Sequence, residues 1–172
     1  MNIPSLETPD LVLRPWKLED CQDLFDILQE PGILDYFPPT VFSLEKTRRY
    51  ISHQLDHWQA HAYGHWALTL KADGRLIGWN GLEYLPETNE TEVAYLLSHQ
   101  AWGRGYATQA ARSAVDFGFN RSGLQSIIGL VHPLNAGSIR VLEKCGLTLI
   151  DRKEYWGLEL LRYRVDAHEI QD

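Results

Sequence analysis

The sequence has few cysteines, no excess of basic residues and no long apolar run, and each shortage excludes a class of protein. Its two cysteines, Cys21 and Cys145, are too few for a disulfide framework. A formal net charge of −7 argues against nucleic-acid binding, because proteins that bind nucleic acids present a basic face. The longest apolar runs, such as "SIIGLV", are far too short to span a bilayer, so we expect no membrane partner.

The amino-terminal segment also lacks the features of a secretory signal. "MNIPSLETPD" has neither a basic first segment nor an apolar core, and we therefore expect a cytoplasmic protein. A length of 172 residues, with 44% hydrophobic and 23% charged residues, predicts a single domain over residues 1–172 with a sizeable buried core. The sequence does not determine the oligomeric state, and a homodimer stays open.

Hydrophobic periodicity predicts a chain of alternating strands and helices. The predicted strands are 11–16, 65–71, 75–85, 91–97, 125–132, 147–156 and 158–165, and the predicted helices are 19–29, 43–61, 106–120 and 135–146. This mixed order predicts an α/β or α+β fold whose sheet has parallel and antiparallel neighbours. Strands 91–97 and 125–132 flank one helix in a β-α-β unit, so they should be parallel.

The segment "HQAWGRGYATQAAR" (99–112) places Gly103 and Gly105 between a predicted strand and the amino terminus of a predicted helix. Such a terminus leaves N–H groups unpaired and carries partial positive charge, which suits phosphate. Glycine lets a ligand approach these groups closely. A Walker A loop is excluded because its Gly-Lys-Ser/Thr ending is absent. A Rossmann fingerprint is disfavoured, since Thr108 replaces its third glycine and no acidic residue follows about 20 positions later.

Resemblance to a known family indicates a third type of phosphate-binding motif. The stretch "YLLSHQAWGRGYATQAARSAVDFGFN" resembles the acetyl-CoA-binding motif of the GNAT superfamily, Arg/Gln-x-x-Gly-x-Gly/Ala, with Trp102 where Arg or Gln is usual. Its "WGRGYAT" form is similar to the branch that contains ribosomal-protein N-terminal acetyltransferases. "HPLNAGSIRVLEKCGL" is similar to the Asn-x-x-Ser…Glu-Lys-x-Gly-Phe segment of that branch, with Leu147 in place of Phe. Since "LVLRPW" also resembles the branch's opening strand, the resemblance covers nearly the whole chain.

The resemblance implies a GNAT-like mixed, mostly antiparallel sheet flanked by helices, with one parallel strand pair splayed at a bulge where acetyl-CoA binds. It implies direct transfer of an acetyl group from acetyl-CoA to a primary amine, either the α-amine of a protein or peptide or a small-molecule amine. A backbone N–H on strand 91–97 would polarise the thioester carbonyl. The implied acetyl-CoA-binding residues are Trp102, Gly103, Arg104, Gly105, Tyr106, Ala107, Thr108, Asn135 and Ser138.

The identity of a general base stays open. The branch often carries a carboxylate shortly before the Trp-Gly pair, whereas this chain has Ser98, His99 and Gln100 there. Glu92 and His99 are the remaining candidates, besides a base acting through water or no base at all. An α-amine with a pKa of about 7.8 costs roughly 1.1 kcal/mol to deprotonate at pH 7, against roughly 4.6 kcal/mol for lysine. An amino-terminal amine therefore needs little help.

Ser138 is, by the resemblance, the residue that protonates or hydrogen-bonds the departing thiolate. Asn135 would open the helix that carries Ser138 and contact the cofactor near its sulfur. A purely structural interpretation competes with this role, since Asn and Ser favour the first positions of helices in any case.

Two further features suggest chemistry, but we interpret both as structural. Four histidines recur every four residues: His53, His57, His61 and His65. Such spacing on a helix can bind metal, yet no matching carboxylate or thiol accompanies it, and Gly64 should end the helix first. We therefore expect no metal. Cys145 could suggest an acyl-enzyme nucleophile, but we expect a small buried residue.

Two functions of different class are compatible with the sequence. The first is an amine N-acetyltransferase. The second is a catalytically idle acyl-CoA-binding or regulatory domain, which the missing carboxylate favours. The acceptor itself cannot be identified from the loops at 31–43 and 153–159. Three aromatic residues near these loops are candidates to line its pocket: Tyr36, Phe37 and Trp156.

Overall fold

The computed structural model describes residues 2–169 and contains one mixed sheet flanked by four helices. The strands are β1 (Leu6–Glu7), β2 (Leu11–Arg14), β3 (His65–Leu70), β4 (Leu76–Leu85), β5 (Glu90–Leu97), β6 (Ser126–Val131), β7 (Thr148–Tyr155) and β8 (Leu158–Asp166). The helices are α1 (Cys21–Leu28), α2 (Leu44–His61), α3 (Tyr106–Asn120) and α4 (Ala136–Lys144). Sequence periodicity does not predict β1, because two residues are too few to show alternation.

The sheet is antiparallel except at one strand pair. Its order is β1-β2-β3-β4-β5-β6-β8-β7, and only β5 and β6 run parallel, as expected for strands joined by a crossover helix. This topology confirms the predicted mixed, mostly antiparallel sheet with flanking helices.

The parallel pair separates soon after it forms. β5 and β6 are in register only at Glu92 and Ile128, whereas β5 pairs with β4 along its whole length. Beyond Glu92 the two strands diverge, and we call the space between them the β5–β6 gap. The bulge expected at this splay is not found in β5, since its pairing with β4 shows no register shift. The expectation of a bulge there is therefore wrong, and the gap comes from divergence of the strands.

An irregularity lies instead one strand away, between β3 and β4. Leu68 pairs with Gly78 and Thr69 with Leu76, so Ile77 is an extra residue in β4. Two side chains that should share a face are thereby separated, and Ile77 and Trp79 join different hydrophobic clusters. The bulge therefore decides which β4 residues after Gly78 face α1 and α2.

Helices cover both faces of the sheet. The α1–α2 face is the one on which Trp79 and Leu96 pack with Leu24 and Ile51. The α3–α4 face is the opposite one, and its core includes Leu82, Val93, Ala114 and Leu142. Alternation along each strand sends neighbouring residues to opposite faces, so β5 contributes to both.

Local sequence explains where the helices near the gap begin and end. The side-chain oxygen of Asn135 accepts a hydrogen bond from the Ser138 N–H at 3.1 Å and so caps α4. Gly146 follows α4 with a φ of 86°, which confirms the predicted glycine stop. A side chain on Gly129 of β6 would come within 2.5 Å of Leu142, so this glycine lets α4 lie close to the sheet.

Across residues 2–169, no helix combines the length and apolar composition needed to cross a bilayer.

Candidate active site

The glycine turn before α3 has two residues in a left-handed backbone conformation. Gly103 and Gly105 have φ values of 70° and 77°, a left-handed conformation that glycine adopts without strain. No side chain caps α3 at Gly105, so side-chain capping does not satisfy the N–H groups of its first turn. Residues 102–105 are exposed and 106–108 are half-buried, which makes the turn accessible to a ligand.

Trp102 fixes this turn to the end of β5. Its indole N–H donates to the carbonyl oxygen of Leu97 at 2.8 Å, and the edge of its ring meets His99 at 4.4 Å between centroids. In place of the Arg or Gln of the GNAT motif, this residue anchors the turn by a neutral hydrogen bond. Arg104, which is exposed on the same turn, adds positive charge beside it.

A pair of hydroxyl groups lies on the α3–α4 face. The side-chain oxygens of Tyr95 on β5 and Ser138 on α4 are 2.8 Å apart, and the Tyr95 hydroxyl is also 3.1 Å from the Ser138 carbonyl. Burial raises the pKa of Tyr95, so its phenol stays protonated. Sequence reasoning missed Tyr95, because its contact with Ser138 joins residues 43 positions apart. The one indication in the sequence was that Tyr95 lies in the predicted strand 91–97.

The edge of β5 presents backbone groups to the β5–β6 gap. The N–H of Ser98 donates to Ile77 in β4 at 2.8 Å. Because backbone groups alternate in direction along an antiparallel pair, those of Leu96 and Ala94 also point to β4. Those of Leu97 and Tyr95 then point the other way, and the Leu97 carbonyl does accept from Trp102 instead. The Tyr95 N–H therefore faces the gap, beyond the end of its pairing with β6.

Two carboxylates lie on the opposite, α1–α2 face. Glu92 of β5 pairs in register with Glu83 of β4, so their side chains share this face. Burial, with a smaller contribution from the negative charge of Glu83, raises the pKa of Glu92 to about 8. Within residues 2–169, no lysine or arginine forms an ion pair with either carboxylate. Glu92 is thus a half-buried carboxylate able to exchange protons near neutral pH.

A buried network holds Glu83 in place. Its carboxylate accepts from the Gln54 side chain at 3.2 Å and lies 3.2 Å from Nε2 of His65. Burial lowers the pKa of His65 to about 4, so the ring is neutral. The Tyr50 hydroxyl is 2.8 Å from the other ring nitrogen of His65, which fixes the ring's orientation.

The other predicted base, His99, lies at the far end of β5. Its backbone N–H donates to Glu30 at 2.8 Å, and its Nδ1 is 3.4 Å from the same carboxylate. From Glu92 to Leu97 alone the strand rises about 17 Å. The structure therefore brings Ser138 close to β5 and Glu92 to the start of the gap, but places His99 beside Glu30 and the glycine turn.

The histidine series does not form a continuous ladder. α2 ends at His61, and His65 begins β3. His57 is buried and uses both ring nitrogens, one toward the Tyr63 carbonyl at 2.9 Å and the other accepting from the Tyr84 N–H at 3.1 Å. His57 therefore has a structural role. Among residues 2–169, no group of side chains is arranged to hold a metal ion.

Cys145 is buried, and burial raises the pKa of its thiol to about 11. A thiol with such a pKa is a poor nucleophile, as expected.

Of the three aromatic candidates, Phe37 lines a cavity on the α1–α2 face. Tyr36 packs against His132 with tilted rings, 5.2 Å between centroids, and Trp156 is exposed in the β7–β8 turn.

Comparison with known proteins identifies the family. A model of the acetyltransferase (GNAT) domain matches residues 10–148. The crystal structure of an acetyltransferase from Agrobacterium tumefaciens superposes with a TM-score of 0.84 at 30% identity and covers 96% of this chain and 95% of its own. Bacillus subtilis YkkB is 28% identical over 162 residues, which are 92% of this chain and 94% of YkkB.

The same fold occurs in an enzyme solved with the cofactor. RimL, a ribosomal L7/L12 alpha-N-protein acetyltransferase in complex with coenzyme A, superposes with a TM-score of 0.81 at 16% identity, covering 95% of this chain and 98% of RimL. At that identity the comparison shows a shared fold. Together with the family match, the sheet and the glycine turn show that this chain belongs to the GNAT family, as an acetyl-CoA-dependent N-acetyltransferase.

Proposed function

We propose that acetyl-CoA and a primary amine reach the β5–β6 gap from opposite faces of the sheet. This proposal rests on the different reactive side chains that β5 presents on its two faces. Tyr95 and Ser138 place two hydroxyls on the α3–α4 face, whereas Glu92 and Glu83 place two carboxylates on the α1–α2 face. An amine must lose a proton and a thiolate must gain one. We assign proton removal from the amine to the α1–α2 face and proton donation to the thiolate to the α3–α4 face.

We propose that residues 1–172 act as one N-acetyltransferase domain.

The cofactor side uses backbone groups. The N–H groups of residues 103–108 hold the pyrophosphate at the amino terminus of α3, and Arg104 adds charge. Trp102 holds the turn against β5. Asn135 uses its side-chain oxygen to cap α4, so its amide N–H remains for the pantetheine. The predicted structural and binding roles of Asn135 are therefore compatible.

The reaction takes place at the level of Tyr95. Its backbone N–H faces the gap and donates to the thioester carbonyl oxygen, which becomes negative as the amine nitrogen attacks the carbonyl carbon. The C–S bond then breaks, and the acetyl group stays on the nitrogen. Ser138 gives its hydroxyl proton to the departing thiolate and takes one in turn from the Tyr95 hydroxyl, 2.8 Å away. Tyr95 draws a proton from water at the same time, so both hydroxyls end protonated.

Glu92 takes the proton that the amine loses. Glu92 is three positions before Tyr95 in β5, about 10 Å along the strand, so the proton passes through intervening waters. A pKa of about 8 for this carboxyl is close to the pKa of about 7.8 of an α-amine, which favours exchange between them. The acceptor is accordingly the α-amine of a protein or peptide, or a small-molecule amine.

Release of free CoA tests the proposal against the idle alternative. We expect release from acetyl-CoA with at least one member of a panel of small amines and amino-terminal peptides, with a matching mass gain of one acetyl group on the amine. Binding of acetyl-CoA without release for any amine would instead support a non-catalytic acyl-CoA-binding domain.

A further inference from the structure

An apolar cavity opens on the α1–α2 face, between the loop at 33–42, α2 and the end of β5. Its volume is about 360 Å³, and Trp79 and Leu96 form its floor. Phe37 and Phe42 form part of its wall. A volume of this size is at the small end of ligand-binding sites, enough for one apolar group rather than for a whole cofactor.

The two hydroxyl groups that line this cavity are already engaged. The Tyr50 hydroxyl is hydrogen-bonded to His65, and the Thr40 hydroxyl accepts from Lys46. No carboxylate is among the lining residues, all of which lie within residues 2–169. A second ammonium group placed here would lose its hydration without gaining a carboxylate partner, which is costly, and it would lie near the Lys46 ammonium, which is bound to Thr40. An apolar group would gain free energy from burial.

The cavity and the proposed reaction centre are formed by neighbouring residues of β5. Along the α1–α2 face, the β4–β5 pairs run in the order Trp79–Leu96, Gly81–Ala94 and Glu83–Glu92. On the β4 side of the middle pair, the His65 ring stacks on Trp79 at 4.5 Å and reaches to 3.2 Å from Glu83. On the β5 side, the small side chain of Ala94 leaves the surface low. Leu96 is the immediate neighbour of Tyr95, whose N–H faces the gap, and one strand residue spans about 3.4 Å. An amine at the reaction centre therefore has its carbon skeleton at the mouth of the cavity.

We infer that the acceptor is a primary amine carrying an apolar, ring-sized group within about two bonds of the nitrogen-bearing carbon. The apolar group fills the cavity over Trp79 and Leu96, and the nitrogen lies at the gap. An arylalkylamine and a peptide that begins with a large apolar residue share this chemistry. A polyamine does not fit, because its second cation would enter an apolar cavity. This inference rests on the proposed transfer to amines.

Matched amines test the inference directly. The wild-type enzyme, saturated with acetyl-CoA, is assayed for CoA release with phenethylamine, ethylamine, spermidine, and the peptide amides Phe-Gly-Gly and Ala-Gly-Gly. Because burial of a phenyl-sized group is favourable, we expect kcat/KM, calculated for the free-base form of each amine, to be about 10- to 100-fold higher for each phenyl-bearing member than for its small counterpart. The ratio of phenethylamine to the Phe peptide then distinguishes a small-molecule acceptor from a peptide terminus.

Shortening a side chain in the cavity wall provides a second test of the inference. Phe37→Ala should lower kcat/KM about tenfold for phenethylamine and less than twofold for ethylamine, while Phe37→Leu restores most of the loss. Val41→Ala is the matched control, since Val41 is in the same loop, is 84% exposed and does not line the cavity. Thermal melting of each variant confirms that it is folded.

The outcomes separate the two proposals. Equal kcat/KM for ethylamine and phenethylamine, or a higher value for spermidine, would overturn the apolar-acceptor inference and leave amine acetylation intact. An equal loss for both amines in Phe37→Ala would also overturn it. No CoA release with any amine, despite bound acetyl-CoA, would overturn the proposed transfer itself.

Discussion

The two faces that meet at the β5–β6 gap present different kinds of chemical group. On the α3–α4 face, the proposed contacts are backbone N–H groups of the glycine turn and two hydroxyls fixed by α4 and β5. On the α1–α2 face, they are carboxylates and an aromatic cavity, all of them side chains. The first kind of site depends on backbone conformation, and the second depends on which residues occupy the strand positions.

This difference separates cofactor binding from acceptor chemistry. A backbone site tolerates most side-chain changes but not a change of φ, whereas a side-chain site can change its ligand while the sheet stays the same. Substitutions on the α3–α4 turn should therefore alter acetyl-CoA affinity. Substitutions on the α1–α2 face should alter turnover and acceptor choice with the cofactor still bound.

The largest expected effect is on the α1–α2 face, at Glu92. Glu92→Gln removes the proton acceptor and should lower kcat/KM by about 100-fold or more, within the usual range for a general base. Acetyl-CoA affinity measured by calorimetry should change little. Glu87→Gln, an exposed glutamate in the β4–β5 turn, is the matched control and should retain full activity. Wild-type turnover in Glu92→Gln would remove this residue from the mechanism.

Ser138 tests the hydroxyl pair on the other face. Ser138→Ala should lower kcat by about 10- to 1000-fold, while acetyl-CoA affinity falls less than fivefold, because the pyrophosphate contacts lie elsewhere. The helix cap uses the backbone N–H of Ser138, which alanine keeps, so the melting temperature should hardly change. Tyr95→Phe should be non-additive with it if the two hydroxyls act together. Unchanged kcat with a lower melting temperature would assign Ser138 a structural role instead.

Gly105 tests the backbone site. Gly105→Val puts a branched side chain where φ is 77° and where the pyrophosphate should lie, and we expect at least a tenfold loss of acetyl-CoA affinity, about 1.4 kcal/mol. Gly74→Val is a matched control, since Gly74 has a φ of 73° and equally open surroundings in the β3–β4 turn. Both variants should lose stability, but only Gly105→Val should lose affinity. Equal affinities in the two folded variants would contradict the phosphate-binding role.

The same division between backbone and side chains decides which parts of the candidate site can be found from the sequence. Gly103 and Gly105 indicate their turn directly, because few other residues adopt that conformation. The pairing of Glu83 with Glu92 depends on register, and the face of Trp79 depends on the extra residue Ile77. Neither is visible in local periodicity. Local motifs are therefore enough to propose the glycine turn and Ser138 for the cofactor side, whereas Tyr95 and the proposed acceptor side follow from the three-dimensional structure.

A smaller effect is expected from Glu83, through the pH profile. The negative charge of Glu83 contributes to the raised pKa of Glu92, after burial. Glu83→Gln removes that charge and should lower the pKa of Glu92, so ionised Glu92 persists to lower pH. The rising limb of kcat/KM against pH should then shift in the acidic direction. The pKa of the free amine is the same for both enzymes, so an unshifted limb would assign it to the amine.

The smallest effect is expected at His99, which lies beside Glu30 and Trp102 rather than at the start of the gap. His99→Gln keeps the backbone hydrogen bond to Glu30, so the end of β5 should stay in place and kcat/KM should change less than twofold. His53→Gln, at an exposed histidine of α2, controls for loss of an imidazole elsewhere. A tenfold loss of kcat/KM in His99→Gln alone, with a histidine-like inflection of the wild-type pH profile that disappears in the variant, would identify His99 as the base. That result would move proton removal from the α1–α2 face to the end of β5, beside the cofactor turn, and the proposed separation of the two chemistries would fail.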